Sequence, residues 1–455
     1  MPILAKKNNI KTSSRYLAVD ILKEIEVEDA YSNLLLRKVI EENDLPKEET
    51  NLLTELVYGV IQRRMTLDYK LAPFLKKQKK LDNWVRQVLR ISLYQMEYLD
   101  RIPDHAIVNE AANIARSMGH RGVVGLVNGV LRNVQRKGVR DVSNIEPFNQ
   151  RISTEYSLPL WLVDEFIEEL GMEEAEKLAT SLTERPKLSL RVNLKKISRE
   201  EAMNELESEG YEVEESSISP FGIIILNGVP VDTRLFKEGF LAVQDETSML
   251  VAPALNVKEN HQVLDACAAP GGKTMHIANN YIENEQGGKV TALDVHKHKI
   301  KLINQNAKQQ GVEEVVEARQ LDARKVLDQF EENSFDRVLI DAPCSGLGLI
   351  RRRPEIRYNK SKKDILSLQK LQNEILEAAS QVLKPGGELI YSTCTITSLE
   401  NQDVVNQFLK NHTDFTQGTV SLPTDQLTHD SLGSITIYPH QHDTDGFFIA
   451  QLNKN

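Results

Sequence analysis

The stretch Asp265-Ala-Cys-Ala-Ala-Pro-Gly-Gly-Lys-Thr274 decides the reading of this chain. It follows the apolar pair Val263-Leu264, which reads as the end of a strand finishing at Asp265. Gly271 and Gly272 let the backbone approach a ligand, and a helix is expected to start about there. A strand, a glycine turn and a helix open a doubly wound α/β sheet, which binds ligands at the carboxyl ends of its strands. The same pattern continues outward. Val290 to Leu293 ends at Asp294, Phe335 to Ile340 ends at Asp341, and Glu388 to Tyr391 ends near Cys394. Another strand is expected just before Asp322, in Gln320-Leu-Asp-Ala323. Helical segments such as Ile300 to Gln310 and Leu366 to Leu383 separate these strands. Residues 239–455 are therefore expected to form an α/β doubly wound, Rossmann-like domain. Two last apolar runs, Ser434 to Tyr438 and Gly446 to Leu452, predict a closing hairpin.

Upstream the period changes. Leu17, Ile21, Leu22 and Ile25 share one helical face, and Leu56, Val57, Val60 and Ile61 repeat that spacing. Leu89, Leu93 and Met96 follow it, as do Val123, Leu126, Val127, Val130, Leu131 and Val134. Residues 1–140 are thus expected to be an all-α bundle, ending in a linker at Lys137 to Pro147. Residues 141–238 read as a small mixed α/β domain. It has a helical piece around Trp161 to Leu170 and an alternating strand at Leu188, Leu190 and Val192. Ser198 with Glu201 forms a capping-box pattern opening a helix to about Gly210, and Ile223 to Leu226 reads as β. No chemistry is legible in this middle piece.

The net charge is −10, but it is unevenly spread. Residues 1–140 carry 24 Lys and Arg against 17 Asp and Glu, while residues 141–240 carry 10 against 21. A basic module on an acidic body fits a phosphate-attracting face confined to the helical part, with Arg63, Arg64, Lys76, Lys77, Lys79, Lys80, Arg132, Arg136 and Lys137 as its cations. No run of about 18 apolar residues exists, so no membrane partner is expected. The polar, basic start Met1 to Lys11 has no apolar core of a secretory signal. The three cysteines, Cys267, Cys344 and Cys394, do not make a disulfide framework. A cytoplasmic monomer with free thiols is the expectation. The ten histidines form no pattern at metal-ligand spacing, so no metal is expected.

Gly272-Lys273-Thr274 matches the tail of the triphosphatase loop G-x-x-x-x-G-K-[ST]. Its first glycine is replaced by Cys267, and Pro270 removes an amide that a phosphate cradle would use. S-adenosylmethionine has no phosphate. It needs a close backbone turn, here Cys267, Ala268, Ala269, Pro270, Gly271, Gly272 and Lys273, and carboxylates for its amino and hydroxyl groups. Asp294 suits ribose hydroxyls and Asp322 the adenine amino group. The fourth strand delivers Asp341-Ala-Pro-Cys344-Ser-Gly, and the fifth delivers Ser392-Thr-Cys394-Thr. Two thiols beside a methyl-donor loop suit one reaction. A thiolate adding to C6 of cytosine makes C5 nucleophilic enough to take a methyl. A base then removes the C5 proton, and an acid near N3 and N4, for which Asp341 is placed, neutralises ring charge. Lys273 is a candidate cation favouring the thiolate. Spacing alone does not rank Cys344 against Cys394.

Cys267-Ala-Ala-Pro-Gly-Gly-Lys273, Asp341-Ala-Pro-Cys-Ser-Gly346 and Ser392-Thr-Cys-Thr395, with Arg352-Arg-Pro-Glu355, resemble the RNA cytosine-C5 methyltransferases of the NOL1/NOP2/Sun group. Leu89 to Tyr94, Val108 to Ala111 and Val127 to Leu131 resemble the antitermination factor NusB. The combined resemblance covers nearly the whole chain. It implies 16S ribosomal RNA as partner rather than DNA, and cytosine 967 in standard ribosomal numbering as target. It implies Cys394 as nucleophile and Cys344 as the group assisting proton removal or release. It also puts residues 267–273, Asp294, Asp322 and Asp341 on the cofactor side, which leaves Asp341 with two candidate duties. The alternative expectation is an RNA-binding assembly or antitermination factor with a vestigial methyltransferase domain. The intact glycine loop, strand-end acids and thiols oppose it.

Overall fold

The structure, a computed structural model, describes residues 10–28, 30–75 and 81–455. Lys76, Lys77, Lys79 and Lys80 of the expected basic face, and the first nine residues, lie outside the described residues. The chain forms two compact units. One comprises Met1–Thr183 with Arg352–Asn359, the other Glu184–Arg351 with Lys360–Asn455.

The first unit is helical: α1 (Ser14–Glu28), α2 (Ser32–Asn43), α3 (Lys47–Gln62), α4 (Arg64–Leu71), α5 (Asn83–Tyr98), α6 (Asp104–Met118), α7 (Arg121–Lys137), α8 (Phe148–Glu155) and α9 (Leu160–Ser181). The apolar faces read from the sequence make its core. Leu17, Ile21, Leu22, Ile25, Leu56, Val57, Val60, Ile61, Leu89, Leu93, Val127, Val130, Leu131 and Val134 are all buried in one cluster. Leu126 departs from that reading: its side chain is 41% exposed on α7.

Residues 352–359 pack into this unit although they follow the fourth strand of the C-terminal sheet in sequence. Glu355 accepts hydrogen bonds from the Ser32 amide (3.2 Å) and hydroxyl (2.8 Å). Arg357 is fully buried and donates to the carbonyls of Gln62 (3.1 Å), Tyr156 (3.0 Å) and Leu182 (3.1 Å). Those carbonyls close α3, α8 and α9, so one guanidinium fills the unsatisfied acceptors of three helix C-termini.

The second unit contains two sheets. Strands β1 (Leu188–Val192), β2 (Val213–Glu215), β3 (Gly222–Ile225) and β4 (Leu241–Val243) form an antiparallel sheet in the order β2-β3-β1-β4. The expected capping box is present: the Ser198 hydroxyl accepts from the Glu201 amide and opens the helix Arg199–Ser208. The expected alternating strand is β1, and its polar residues Ser189 and Arg191 are buried as well, with Arg191 Nε donating to Gln244 Oε1 at 2.7 Å. Arg191 also reaches Gln310, at the end of the helix Lys297–Gln310, so that face is covered rather than wet.

The larger sheet holds β5 (Gln262–Asp265), β6 (Lys289–Asp294), β7 (Val316–Gln320), β8 (Phe335–Asp341), β9 (Leu383–Thr393), β10 (Phe415–Gly418), β11 (Ile435–Ile437) and β12 (Phe447–Lys454). Its order is β10-β12-β9-β8-β5-β6-β7, with β11 paired to β12. Strands β5 to β9 pair in parallel; β5, β6, β8 and the end of β9 bury residues on both faces, as strands covered by helices require, while the edge strand β7 carries the half-buried Glu317 and Arg319. The expected closing hairpin is β11 against β12, with Ile435 opposite Ile449. Because β12 also pairs antiparallel with β9, and β10 with β12, the sheet is mixed rather than wholly parallel. The chain leaves β5 toward β6 and β7, then returns to β8 on the other side. This puts the topological switch between β5 and β8, where such folds bind ligands.

Candidate active site

The loop after β5 runs across that switch point. Gly271 has φ 105°, a conformation that favours glycine, and caps the helix Gly272–Tyr281. The turn is closed by Gly271 N donating to Ala268 O at 2.7 Å, while the Ala268 amide donates to Leu293 O at the end of β6. Asp265 is fully buried beneath the loop and accepts a 2.6 Å bond from the Thr274 hydroxyl. Burial pushes its carboxyl up to about 7, against the Thr274 bond and with the charge of Asp341.

The strand-end acids converge on this loop. Burial first, then the charges of Asp265, Asp341, Asp294 and Asp322, push the Cys267 thiol well above its ordinary range. Cys267 therefore sits as a neutral thiol under the influence of four acidic side chains. Asp294 accepts from the His296 amide at 2.9 Å, with Lys299 3.6 Å from its other oxygen. Asp322 caps its own turn and is gripped by Arg324 at 2.7 Å, which lowers its pKa. A glycine turn at a helix N-terminus with carboxylates beside it fits the cationic S-adenosylmethionine rather than a triphosphate.

The other half of the site stands on β8 and β9. Asp341 Oδ2 accepts from Lys273 Nζ at 2.8 Å and Oδ1 from the Ser392 hydroxyl at 3.0 Å. Burial alone would push the Lys273 ammonium down, but Asp341, then Cys394 and Asp265, hold it above its ordinary value. Its Nζ lies 5.1 Å from the centre of the Phe447 ring. Lys273 thus brings a fixed positive charge to the neighbourhood of Cys394.

Cys344 Sγ and Cys394 Sγ are 3.3 Å apart. Hydrogen bonding to Cys394, burial, and the charges of Cys394 and Glu400 push the Cys344 thiol far up. Cys344 is thereby held as the protonated thiol of the pair. The Gly348 amide donates to Cys394 O at 3.0 Å, and Gly446 N donates to Gly348 O at 2.9 Å. There is no room for a side chain at Gly348: a Cβ would lie 2.0 Å from Gly446 O.

The structure thus brings together Cys267, Lys273, Asp294, Asp322, Asp341, Cys344 and Cys394 around one switch point. Ala268, Ala269, Pro270, Gly271 and Gly272 form the backbone turn between them. Sequence reasoning missed Thr274 and Ser392, which orient Asp265 and Asp341, although both stand inside the quoted motifs. It also missed Gly348 and Gly446, whose close approach joins distant segments and leaves no local signal. Among the described residues no group of three or more His, Cys, Asp or Glu side chains is placed to hold a metal ion.

Comparison with known proteins matches three segments of the chain. The family model for the 16S rRNA methyltransferase RsmB/F covers residues 252–453, the NusB family model residues 12–136, and the RsmF/B ferredoxin-like domain residues 158–232. A Bacillus subtilis protein named "Probable ribosomal RNA small subunit methyltransferase B" is 45% identical, covering 98% of this chain and 99% of its own. The ribosomal RNA small subunit methyltransferase B of Serratia proteamaculans is 32% identical over 98% of this chain and 100% of its own. Among solved structures, PH0851 superposes with a TM-score of 0.81 at 29% identity, covering 99% of this chain and 100% of that one. NSun6 from Pyrococcus horikoshii, solved with SFG, gives 0.57 at 25% identity over 65% of this chain and 98% of that one. With such relatives spanning it end to end, the chain belongs to the ribosomal RNA small subunit methyltransferase B family of S-adenosylmethionine-dependent RsmB/F methyltransferases.

Proposed function

We propose that this chain methylates carbon 5 of one cytosine in 16S ribosomal RNA, the family's cytosine 967, through a covalent adduct between Cys394 and C6 of the base. The observation that carries the reading is the thiol pair at the ends of β8 and β9, with the Lys273–Asp341 ion pair beside it. S-adenosylmethionine supplies an electrophilic methyl group. Cys394, near Lys273, attacks C6 as the thiolate, and the electron pair displaced from the ring makes C5 nucleophilic. Asp341 donates or shares a proton near the base edge, or contacts the cofactor. Its position between Lys273 and Ser392 suits either duty.

The pairing of the thiols gives Cys344 a timed role. While Cys394 is a thiolate, its charge and hydrogen bond keep Cys344 protonated. Once Cys394 is consumed in the carbon–sulfur bond, both effects vanish, and Cys344 becomes able to ionise. After giving its own proton to solvent, the Cys344 thiolate takes the C5 proton, the C5–C6 double bond reforms, and the Cys394–C6 bond breaks with return of the electron pair to sulfur. The target base has to leave its stack to reach these groups. The helical unit, residues 1–140 in this reading, supplies phosphate contacts from cations such as Arg132, Arg136 and Lys137, acting as a cytoplasmic monomer.

The test is transfer of labelled methyl from S-adenosylmethionine to protein-free 16S ribosomal RNA, with the product mapped by nuclease digestion. Label confined to the fragment holding cytosine 967 is the expected result. Label at another position would overturn the target assignment, and no label on free RNA or on 30S particles would favour a binding factor.

A further inference from the structure

One buried carboxylate beneath the thiols is used by nothing above. Glu400 lies between Cys394 and the helix Gln402–Asn411 and is fully buried. Its Oε1 accepts from the Ser345 amide at 2.8 Å and from Gln372 Nε2 at 3.0 Å, and its Oε2 from the Ser345 hydroxyl at 2.5 Å. All three donors are neutral. Ser345 directly follows Cys344, and its hydroxyl lies 2.8 Å from that of Thr395, which directly follows Cys394. Gln372 also donates to Pro343 O at 3.0 Å, on the other side of Cys344.

The neighbouring residue completes the arrangement from below. Asn401 Nδ2 donates to Thr395 O at 3.2 Å, and its Oδ1 accepts from the Thr393 hydroxyl. The Tyr391 hydroxyl donates to Glu400 O at 2.7 Å. Glu400, Asn401 and Gln372 together therefore hold the residues on either side of both cysteines. Burying a carboxylate without a cation is a poor way to stabilise a fold, since a well-packed apolar side chain does as well. The same charge makes a fixed acceptor that aligns an amide and a hydroxyl together. After Cys394 and burial, that charge also helps Cys344 retain its proton.

We propose that Glu400 is the positioning residue of the thiol pair, fixing the Cys344 loop through Ser345 so that Cys344 meets the C5 proton once Cys394 is bound to the base. The inference rests on the covalent-adduct reading. A loop displaced by about 1 Å is expected to slow the chemistry by about 10²-fold without changing substrate binding.

The experiment compares full-length parent, Cys344→Ala, Glu400→Ala, Glu400→Gln and Ser345→Ala on 16S ribosomal RNA with S-adenosylmethionine. It measures kcat, KM for RNA, and RNA–protein adduct that survives SDS. Cys344→Ala is expected to accumulate adduct. Glu400→Ala should lose about 10²-fold in kcat with KM nearly unchanged and accumulate the same adduct. Glu400→Gln, which keeps an acceptor for the Ser345 amide, should recover most of the loss. Ser345→Ala should lose roughly tenfold. Parent-like kcat in Glu400→Ala, or a loss of kcat without adduct while Cys344→Ala shows it, would overturn the proposal. Should Glu400→Ala not fold, parent-like kcat in Ser345→Ala would overturn it. Absence of adduct in Cys344→Ala itself would count against the covalent reading, and the kcat and KM of the Glu400 variants would still decide the positioning role.

Discussion

Cys344 Sγ and Cys394 Sγ lie 3.3 Å apart although fifty residues separate them. The sheet makes this contact: β8 and β9 pair in parallel with Asp341 opposite Ser392, so both loops leave the sheet side by side. The first expectation concerns reactivity. Cys394 is the main cause of the raised Cys344 pKa, so its removal should release Cys344. In Cys394→Ala, alkylation of Cys344 by iodoacetamide at neutral pH should be faster by roughly tenfold or more, one pKa unit being tenfold in thiolate. Peptide mass spectrometry against time reads it, and an unchanged rate would contradict the coupling.

Gly348 offers a test of how tightly that loop is set. In Gly348→Ala the new methyl would lie 2.0 Å from Gly446 O and 2.8 Å from Cys394 O, both backbone atoms. The Cys394 loop has to shift, and a drop in kcat of about 10²-fold is expected. The glycine turn at Gly271 stands on a different strand, so S-adenosylmethionine affinity by calorimetry should stay within a few-fold. Undiminished turnover would show that the loop has more freedom than this packing allows.

Arg357 serves stability instead. Burial lowers its pKa to about 10, which still leaves it charged at neutral pH. Arg357→Met would leave the closing carbonyls of α3, α8 and α9 buried and unpaired, at a cost of about 1–3 kcal/mol each. A loss of roughly 3–5 kcal/mol in the helical unit is expected after partial relaxation, seen as a lower urea midpoint. Lysine should recover only part of it, because one ammonium does not span three carbonyls as the planar guanidinium does. An unchanged midpoint would refute the role.

His276 should give the second unit a pH-dependent stability. Both ring nitrogens are buried without hydrogen-bond partners, and the ring meets Phe221 edge-on at 4.5 Å. Burial, then the charge of Arg191, lowers its pKa well below 6.5. The unfolded chain takes up a proton that the folded chain refuses. Stability is therefore intact above pH 6.5 and falls as pH drops below it, by up to about 1.4 kcal/mol per pH unit. His276→Leu should flatten this slope between pH 5 and 6.5 and cost little at pH 8. Equal slopes in parent and variant would assign the acid sensitivity to other groups.

The site was legible where function is concentrated in short strings at strand ends. The glycine turn, Asp294, Asp322, Asp341 and both thiols were named from strand–loop–helix periodicity, because the fold puts such positions at one edge. What escaped was contact between distant segments. Glu355 meets Ser32 across 323 residues and Glu400 meets Ser345 across 55, and neither leaves a periodic trace. The burial of Arg191 escaped too, because alternation reports polarity and not what later covers it. The antiparallel edge was readable as a hairpin, but its pairing of β12 to β9 was not. The thiols could not be ranked by spacing. Lys273 bears on Cys394 and Glu400 on Cys344, and this supports the proposal that Cys394 is the nucleophile.

The most direct test of the central claim is nucleoside mass spectrometry of protein-free 16S ribosomal RNA after incubation with S-adenosylmethionine and either the parent or Cys394→Ala. The account requires 5-methylcytidine from the parent and none from the variant. Equal 5-methylcytidine from both would move the nucleophile to Cys344, and a methylated nucleoside other than 5-methylcytidine would contradict the reaction itself.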